Sequence, residues 1–228
     1  MKIIFFLFVL LSFEIFAETK LQDCKLENNK IISKNYCYGE IFYEDNFTYK
    51  GYFLNKEFNG LGKFIWFKHD KFLLYEGYFF KNRLHGRGKL VWLNGDISSG
   101  SFFQGQQKGP GKKLFNNGDI YIGSFDDNLF NGQGKFLSKK GIIYEGSFKD
   151  GNFEGLGNII YENTDTYKGE WKKGKRNGKG RWSSLLDGFS YEGDWKEGLP
   201  DGKGIIRYKN GKLEKGNFIE GRLVKLSN

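Results

Sequence analysis

The sequence is poor in the residues from which most metal, redox and hydrolytic sites are built. It contains two histidines, two cysteines and two prolines among 228 residues. No cysteine lies near His69 or His85, so nothing has the spacing of a zinc site. G-x-S-x-G and H-E-x-x-H motifs are absent. We interpret both histidines as solvated, with His85 at a turn position, and predict a protein without catalytic residues, metal or cofactor.

The first 17 residues have the composition of a secretory signal. Lys2 is followed by the apolar run Ile3–Leu11, and Ala17 is a small residue at a plausible cleavage site. We therefore expect residues 1–17 to be a signal peptide and the mature protein to be periplasmic, secreted or envelope-associated. The alternative is an uncleaved anchor, although the apolar run is too short for a spanning helix.

Cys24 and Cys37 are the two cysteines of the chain, and both follow the signal segment. An even pair in an exported protein indicates a disulfide, here predicted between Cys24 and Cys37. The alternative is a reactive or metal-binding thiol pair, which the absence of a nearby histidine disfavours. We expect residues 18–46 to form an N-terminal cap stabilised by this bond.

Glycine is abundant, with 33 residues, and it is strictly periodic. One glycine begins each unit, at intervals of 26, 23, 23, 23, 23, 24 and 23 residues: Gly51, Gly77, Gly100, Gly123, Gly146, Gly169, Gly193 and Gly216. In the first seven units a second glycine follows nine residues later, at Gly60, Gly86, Gly109, Gly132, Gly155, Gly178 and Gly202. A third glycine follows eleven residues later, at Gly62, Gly88, Gly111, Gly134, Gly157, Gly180 and Gly204, and the second strand of the unit is expected after it. A fixed period of this length predicts a stacked repeat architecture.

Aromatic residues keep constant positions around the first glycine of each unit. A tyrosine precedes it by two residues at Tyr49, Tyr75, Tyr121, Tyr144, Tyr167 and Tyr191, with Ser98 as the exception. A phenylalanine or tryptophan follows it by two residues, for example Phe53 and Phe79. This spacing places ring, glycine and ring on one side of an extended strand. We infer that the glycines leave room for rings of the same or the next hairpin.

Asn-Gly and Asp-Gly pairs recur between the two predicted strands of a unit. Because these dipeptides tolerate positive φ, we predict tight reversals at Asn59-Gly60, Asn131-Gly132, Asn177-Gly178 and Asp201-Gly202. Each unit is therefore predicted to be a β-hairpin with a short link to the next.

The segment YEGSFKDGNFEGLG, residues 144–157, resembles the MORN (membrane occupation and recognition nexus) repeat. The resemblance extends over residues 47–224 as seven full units with truncated flanking units, after a degenerate leading unit within 18–46 and before a tail at 225–228. Ser98, Pro110 and an insertion at residues 67–73 depart from the pattern. The resemblance implies an all-β fold, an elongated, twisted, single-layer antiparallel sheet of successive β-hairpins, which the predicted strand geometry also favours.

The formal net charge of +9 is concentrated toward the C-terminus, where residues 168–228 hold 15 basic and 8 acidic residues. Its densest stretch, WKKGKRNGKGRW, gives the candidate residues for binding an anionic surface: Lys172, Lys173, Lys175, Arg176, Lys179 and Arg181. A basic residue also follows the third glycine in five units, and these residues are expected about 10 Å apart on one face. The alternative is a solubilising polar face. Export makes nucleic acid an unlikely partner.

Carboxylates beside the first glycines, such as Glu76 and Glu145, alternate with the rings and are expected on the solvated face rather than in an acid–base pair. We therefore predict a non-catalytic exported scaffold that binds a protein partner or an envelope surface, with homodimerisation through sheet edges also open. The alternative function is a module that binds anionic lipid or glycan through its basic C-terminal third and aromatic trough.

Overall fold

The computed structural model describes residues 22–43, 47–68 and 71–224. The predicted signal peptide, the tail at 225–228 and His69 lie outside these residues. Throughout the described ranges the chain is β-structure, turn or loop, without a helix. Its glycine- and aromatic-rich composition disfavours helix and suits pleated strands.

Nineteen strands are described. In chain order they are β1 Leu26–Glu27, β2 Lys30–Ile31, β3 Cys37–Tyr43, β4 Phe47–Leu54, β5 Glu57–Lys68, β6 Lys71–Phe80, β7 Arg83–Val91, β8 Ile97–Phe103, β9 Gln106–Leu114, β10 Ile120–Asp126, β11 Leu129–Leu137, β12 Ile143–Lys149, β13 Asn152–Ile160, β14 Thr166–Lys172, β15 Lys175–Ser184, β16 Phe189–Lys196, β17 Leu199–Tyr208, β18 Leu213–Ile219 and β19 Arg222–Val224.

Strands β3 to β19 form one sheet in which each strand pairs antiparallel with its neighbours in sequence. Among the described pairings none joins β3 to β19, so the sheet is open. Strands β1 and β2 form a separate small hairpin. The predicted all-β sheet of successive hairpins is confirmed.

The reversals inside the units lie before the predicted positions. The turn of the first unit is Asn55-Lys56, with φ of 53° and 68°, and Asn59-Gly60 lies inside β5. Gly60 keeps a positive φ of 99° because it lies at a bulge, where the register shifts between Gly51 and Phe53. The prediction of a turn at Asn59-Gly60 and its equivalents is therefore wrong. The dipeptide signals positive φ, which a bulge requires as much as a turn does.

Because the turn comes earlier than predicted, the position predicted for the third glycine of each unit relative to the second strand is also wrong. Gly62 and Gly134 were expected to precede the second strand of their hairpins, but they lie in the middle of β5 and β11. Gly62 pairs with Gly51, and Gly134 pairs with Gly123. Because the turn comes earlier, the second strand has already begun when it reaches this glycine. The third glycine is therefore a strand residue that faces the first glycine of its own unit.

One glycine per strand forms an unbroken row across the sheet. Pairings run from Gly39–Gly51 at β3 to Gly204–Gly216 at β18. In six units a tyrosine ring lies over the glycine pair of its own hairpin. A Cβ on Gly157 would be 2.5 Å from Cζ of Tyr144. The glycines are thus required by the tyrosines, as the sequence predicts.

The same steric relation holds at the other third glycines of these units. An added Cβ would lie 2.6 Å from Cζ of Tyr49 at Gly62, and 2.8 Å from Cζ of Tyr121 at Gly134. Real Cβ atoms do not approach a ring so closely, so a side chain at either position would have to displace the tyrosine. The role predicted for Gly62 and Gly134, leaving room for a ring, is therefore correct, although their predicted position relative to the turn is wrong.

Each of these six tyrosines is buried, and its hydroxyl donates a hydrogen bond to the carbonyl three residues later. The O–O distance is 2.9 Å from Tyr144 to Ser147 and 2.8 Å from Tyr121 to Ser124. Burial raises the pKa of Tyr121, Tyr144 and Tyr191 to about 12. The phenols are therefore held neutral inside the core.

Rings pack both within and between units. Within a unit, Tyr144 stacks on Phe153 with ring centroids 3.6 Å apart and an interplanar angle of 7°. Between units, Tyr144 meets Trp171 edge to face at 5.5 Å. Offset-stacked and edge-to-face pairs are the favourable geometries for aromatic rings. Adjacent hairpins therefore supply each other's core.

The ring packing is interrupted at the third unit, between a cluster that ends at Phe102 and one that begins at Tyr121. Ser98 replaces the tyrosine, and Gln107 replaces the ring stacked on it; both are buried. The Ser98 hydroxyl accepts a bond of 2.9 Å from Nε1 of Trp92, and Nε2 of Gln107 donates to the carbonyl of Ser99 at 3.1 Å. Two polar side chains, each with its own hydrogen-bond partner, thus fill the space of two rings.

The N-terminal edge of the sheet is covered by the segment before β1. Cys24 and Cys37 form the predicted disulfide, with an S–S distance of 2.03 Å. The amide of Cys24 donates to the carbonyl of Tyr38 on β3, and the amide of Tyr38 donates to Gln22. These bonds occupy the outer edge of β3, which would otherwise template pairing with another chain.

Candidate interaction groove

The sheet has two unlike faces. The ring face carries the tyrosines and the side chains that pack on them. The opposite face, called here the groove face, carries the residues that flank the glycine row, because successive side chains of a strand alternate. At the row itself an added Cβ would point toward the tyrosines, so the groove face has a floor of backbone there, between two walls of side chains.

Over β12 to β18 the groove forms a cavity of about 1240 Å³. Its floor includes Gly157, Gly169, Gly180, Gly193, Gly204 and Gly216. Six basic residues line it: Lys168, Lys179, Arg181, Lys203, Arg207 and Lys215. The acidic residues that line it are Glu145 and Glu192. The lining residues therefore carry four net positive charges (six basic minus two acidic), an excess that is reduced by Glu170 and Asp194, which flank row glycines on the wall of Lys179 and Lys203.

The glycine row extends beyond this cavity. Gly62 and Gly134 continue it across β5 and β11, but neither lines the cavity over β12 to β18. These two glycines therefore serve the ring packing, and the candidate site does not include them.

The residue after the third glycine of a unit is basic in five units, and these five residues lie along one wall. They are Lys63, Lys89, Lys112, Lys135 and Arg181, predicted to share a face. Two of the five are paired with acidic neighbours among the described residues, Lys63 with Glu76 at 3.0 Å and Lys135 with Glu145 at 3.7 Å. Exposed pairs of this kind add little stability.

The C-terminal part of the groove differs in that most of its cations are unpaired. Among the described residues, none of Lys168, Arg181, Lys203, Arg207 and Lys215 makes an ion pair, whereas Lys179 pairs with Asp194. Lys179 is also the main cause of the lowered pKa of the Asp194 carboxyl. These five cations are therefore the ones open to an anionic ligand.

The six basic residues predicted to bind an anionic surface lie in three places. Lys172, Lys173 and Lys175 are exposed around the β14–β15 turn. Lys175 pairs with Glu197 at 2.6 Å, and the Lys173 amide donates to Glu154. Lys179 and Arg181 line the groove.

Arg176 lies on the ring face, at the position that Phe58, Phe130 and Phe153 occupy in three other units. Its guanidinium is 4.3 Å from the ring centroid of Trp195 and 5.2 Å from that of Trp182, and it donates to the carbonyl of Gly198 at 2.6 Å. Desolvation lowers its pKa. Arg176 is half-buried and satisfied by cation–π contacts, so its role in this structure is packing.

Sequence reasoning missed four groove cations: Lys168, Lys203, Arg207 and Lys215. They are separated by up to 47 residues (from 168 to 215) and become neighbours only through strand pairing. The alternation of side chains along a strand could have identified them, because a residue at an odd number of positions from a row glycine on the same strand lies on the groove face.

The N-terminal end of the groove face is aromatic instead of basic. Tyr36 stacks on Tyr52 with centroids 5.2 Å apart, and Tyr38 meets Tyr52 edge to face at the same distance. Tyr78 is nearby and about half-exposed. The two ends of the face therefore differ in chemistry.

His85 lies within β7, half-buried between Phe80 and Phe103, so its prediction as a solvated turn residue is wrong. Its Nδ1 is buried without a hydrogen-bond partner. The described residues contain no group of three or more His, Cys, Asp or Glu side chains placed to hold a metal ion. In the same ranges, no helix has the length and apolar character needed to cross a membrane.

Comparison with known proteins gives a match to the family model of the MORN repeat over seven segments, at residues 49–71, 75–97, 99–120, 121–142, 144–166, 167–184 and 191–212. No curated protein matches. The chain is similar to a solved structure, the SAS-4 (dCPAP) TCP domain in complex with a proline-rich motif of Ana2 (dSTIL) of Drosophila melanogaster, at 13% identity over 79% of this chain and 90% of that chain, with a TM-score of 0.42. A likeness of that size carries no argument about the present chain.

Proposed function

The chain belongs to the MORN repeat family, and on that premise we propose that it is a non-catalytic, exported scaffold that holds a partner protein in the groove of its C-terminal half. The ring face supplies the core, so the groove face is the surface free for recognition. A rigid repeat array with an extended concave surface is suited to binding.

The concentration of unpaired cations over a side-chain-free floor carries this proposal. A solubilising surface would be served by interspersed charges of both signs. In the groove, which encloses about 1240 Å³, basic lining residues outnumber acidic ones, and Lys168, Lys203 and Lys215 make no ion pair among the described residues. Complementary charge at such a site promotes association and selects the partner.

Two matched variants test the scaffold role. Lys179→Gln/Lys203→Gln removes two charges from the groove, and Lys172→Gln/Lys173→Gln removes two from the exposed turn. In a pull-down from envelope extract, we expect the partner to be lost with the groove variant and kept with the turn variant. Equal retention by both variants would contradict a groove-centred scaffold.

Binding to an anionic lipid or glycan is the second candidate, supported by Lys172, Lys173 and Lys175 at one protruding turn. Each basic residue near an anionic bilayer contributes about 1 kcal/mol. We expect co-sedimentation with vesicles containing phosphatidylglycerol at low salt and release as salt rises. A Lys172→Gln/Lys173→Gln/Lys175→Gln variant should lose binding; Arg176 is left unchanged because it packs in the core. Binding that survives in this variant would remove this candidate.

Export is supported by the apolar N-terminal segment of the sequence and by the Cys24–Cys37 disulfide, since such bonds persist in oxidising compartments. Cell fractionation with thiol labelling tests it. We expect the protein outside the cytoplasm and both cysteines protected from alkylation until reduction. Cytoplasmic protein with two free thiols would refute export.

A further inference from the structure

The spacing of the groove cations defines the shape of the ligand as well as its charge. Resting on the proposed function, we propose that the C-terminal half of the groove binds an acidic segment of the partner protein in polyproline II conformation, with a carboxylate at every third residue. The ligand lies along the glycine row, across the strands.

The cations repeat at the period of a polyproline II helix. Lys179 and Lys203 occupy the same wall and the same repeat position on β15 and β17, two strands apart, which is about 9.6 Å. Lys168 and Lys215 occupy the other wall four strands apart, or about 19 Å. Polyproline II rises about 3.1 Å per residue with three residues per turn, so every third side chain points the same way at about 9.3 Å intervals.

A β-extended ligand does not fit this pattern. Its side chains alternate, so residues three apart lie on opposite faces. The floor also offers no edge for strand addition, because the row glycines pair with strands on both sides. Polyproline II needs no ladder partner, because its backbone is solvated. The floor therefore favours a chain recognised through side chains.

The groove has room for one such chain. The two walls rise from residues on either side of the glycine, whose Cα atoms are about 7 Å apart along a strand. The lined region runs from β12 to β18, or six strand spacings of about 4.8 Å, which is about 29 Å. That length accommodates about nine residues of polyproline II, and hence three carboxylates.

The acidic residues of the groove set the register of the ligand. Glu192 lies between Lys168 and Lys215 on the same wall, and Arg181 faces it across the β15–β16 pairing. On the other wall Asp194 lies between Lys179 and Lys203, and it pairs with Lys179. Because both walls carry a carboxylate on β16, ligand carboxylates are repelled from that strand and directed to the levels of Lys179 on β15 and Lys203 on β17, about 9.6 Å apart. Repulsion at one position and attraction at the others give specificity.

The test uses two labelled nine-residue peptides of equal composition. One has three Glu-Pro-Pro triplets, and the other has its three glutamates consecutive and then six prolines. In fluorescence anisotropy with the purified protein we expect the triplet peptide to bind about tenfold more tightly and to be released as salt rises. Lys179→Gln/Lys203→Gln should weaken it by about tenfold. The turn variant Lys172→Gln/Lys173→Gln should change it by less than about twofold. Circular dichroism checks that both variants fold.

Equal binding of the two peptides, or equal weakening by the two variants, overturns the proposal, because the spacing is then not recognised. So does tighter, groove-dependent binding of heparin or of phosphatidylglycerol vesicles than of the triplet peptide. If the triplet peptide does not bind but the groove variant still loses the cellular partner, the scaffold role is supported and the polyproline II ligand is refuted. If the groove variant also retains the partner, both the scaffold role and the ligand are refuted.

Discussion

The ring of Tyr144 occupies the space in which a side chain on Gly157 would lie, with Cζ of Tyr144 only 2.5 Å from an added Cβ. Gly157 pairs with Gly146 on the neighbouring strand, where an added Cβ would meet the Cα of Gly157 at 2.5 Å. Gly157 is thus constrained by the tyrosine ring, whereas Gly146 is constrained by backbone as well as by the Tyr144 hydroxyl, 2.7 Å from its added Cβ.

This difference predicts a selective rescue. Gly157→Ala should destabilise the protein by about 1–3 kcal/mol or more, through overpacking. In a Tyr144→Ser background its cost should fall by about 1–3 kcal/mol, because the ring has gone. Gly146→Ala should show a smaller relief, because backbone atoms still obstruct its side chain after the ring has gone. Urea unfolding of the four-member cycles measures this, and equal coupling at both glycines would contradict the steric account.

The buried tyrosines predict an alkaline transition. Folding raises the pKa of Tyr121, Tyr144 and Tyr191 to about 12, above the value of about 10 in an unfolded chain. The stability that they confer is therefore complete below about pH 10 and is lost as the pH rises toward 12. We expect the last part of the tyrosinate absorbance to appear together with loss of the far-UV circular dichroism signal. Complete ionisation in a protein that keeps its β-sheet signal would refute it.

The polar interruption at Ser98 and Gln107 predicts a compensating pair. Ser98→Tyr alone should be destabilising, because Gln107 fills the stacking space and the bond from Trp92 is lost. Adding Gln107→Phe should recover about 0.5–3 kcal/mol, by recreating the stacked pair seen at Tyr121 and Phe130, 3.7 Å apart. Thermal unfolding of both variants checks this, with Gln107→Phe alone as the control.

Arg176 predicts that a cation-to-ring exchange is tolerated. Arg176→Phe should keep stability within about 1.5 kcal/mol, because Phe130 and Phe153 occupy this position elsewhere. Arg176→Glu should cost about 2 kcal/mol or more, since it places an unpaired anion against the faces of Trp182 and Trp195. Lys172→Glu, at the exposed turn, serves as the control and should be close to neutral. Chemical denaturation measures the stability of the three variants. If Arg176→Glu is as stable as the unmodified protein, the contacts of Arg176 with Trp182 and Trp195 do not contribute to stability.

The disulfide predicts a loss confined to one end. Cys24→Ser/Cys37→Ser should lower stability by about 3 kcal/mol, from the entropy of a short closed loop. Hydrogen exchange should increase first in β3 and β4, because the segment that covers the β3 edge is released. Uniform acceleration of exchange up to β18 would mean instead that the array unfolds as one unit.

The fold was predictable because one pattern repeats seven times. Tyrosine, glycine and a second ring at fixed spacing specify a strand face, and the 23-residue period specifies stacking. The turn position was not, because Gly60 and its equivalents need positive φ at a bulge, and the true turns, such as Lys81-Asn82 and Lys173-Gly174, give the same Asn or Gly signal a few residues earlier. The same error placed Gly62 and Gly134 ahead of strands in which they are central.

The site was only partly predictable. Lys179 and Arg181 were found because they lie in a dense basic run, but the same run contains Arg176, whose side chain turns to the other face. Lys168, Lys203 and Lys215 are isolated in the sequence, and the sheet register brings them together. The density of charge along the sequence therefore does not identify the groove residues, because the alternation of side chains along each strand determines which face they occupy.

The unbroken glycine row gives the sheet a regular spacing from one hairpin to the next. Because every unit meets both neighbours through the same glycine-to-glycine contact, removal of residues 121–143 would bring Gly111 opposite Gly146 and leave each remaining hairpin with an equivalent neighbour. The array would shorten by about 10 Å, the advance of one hairpin. Duplication or loss of whole units can thus reset the span of the molecule while its cross-section stays the same.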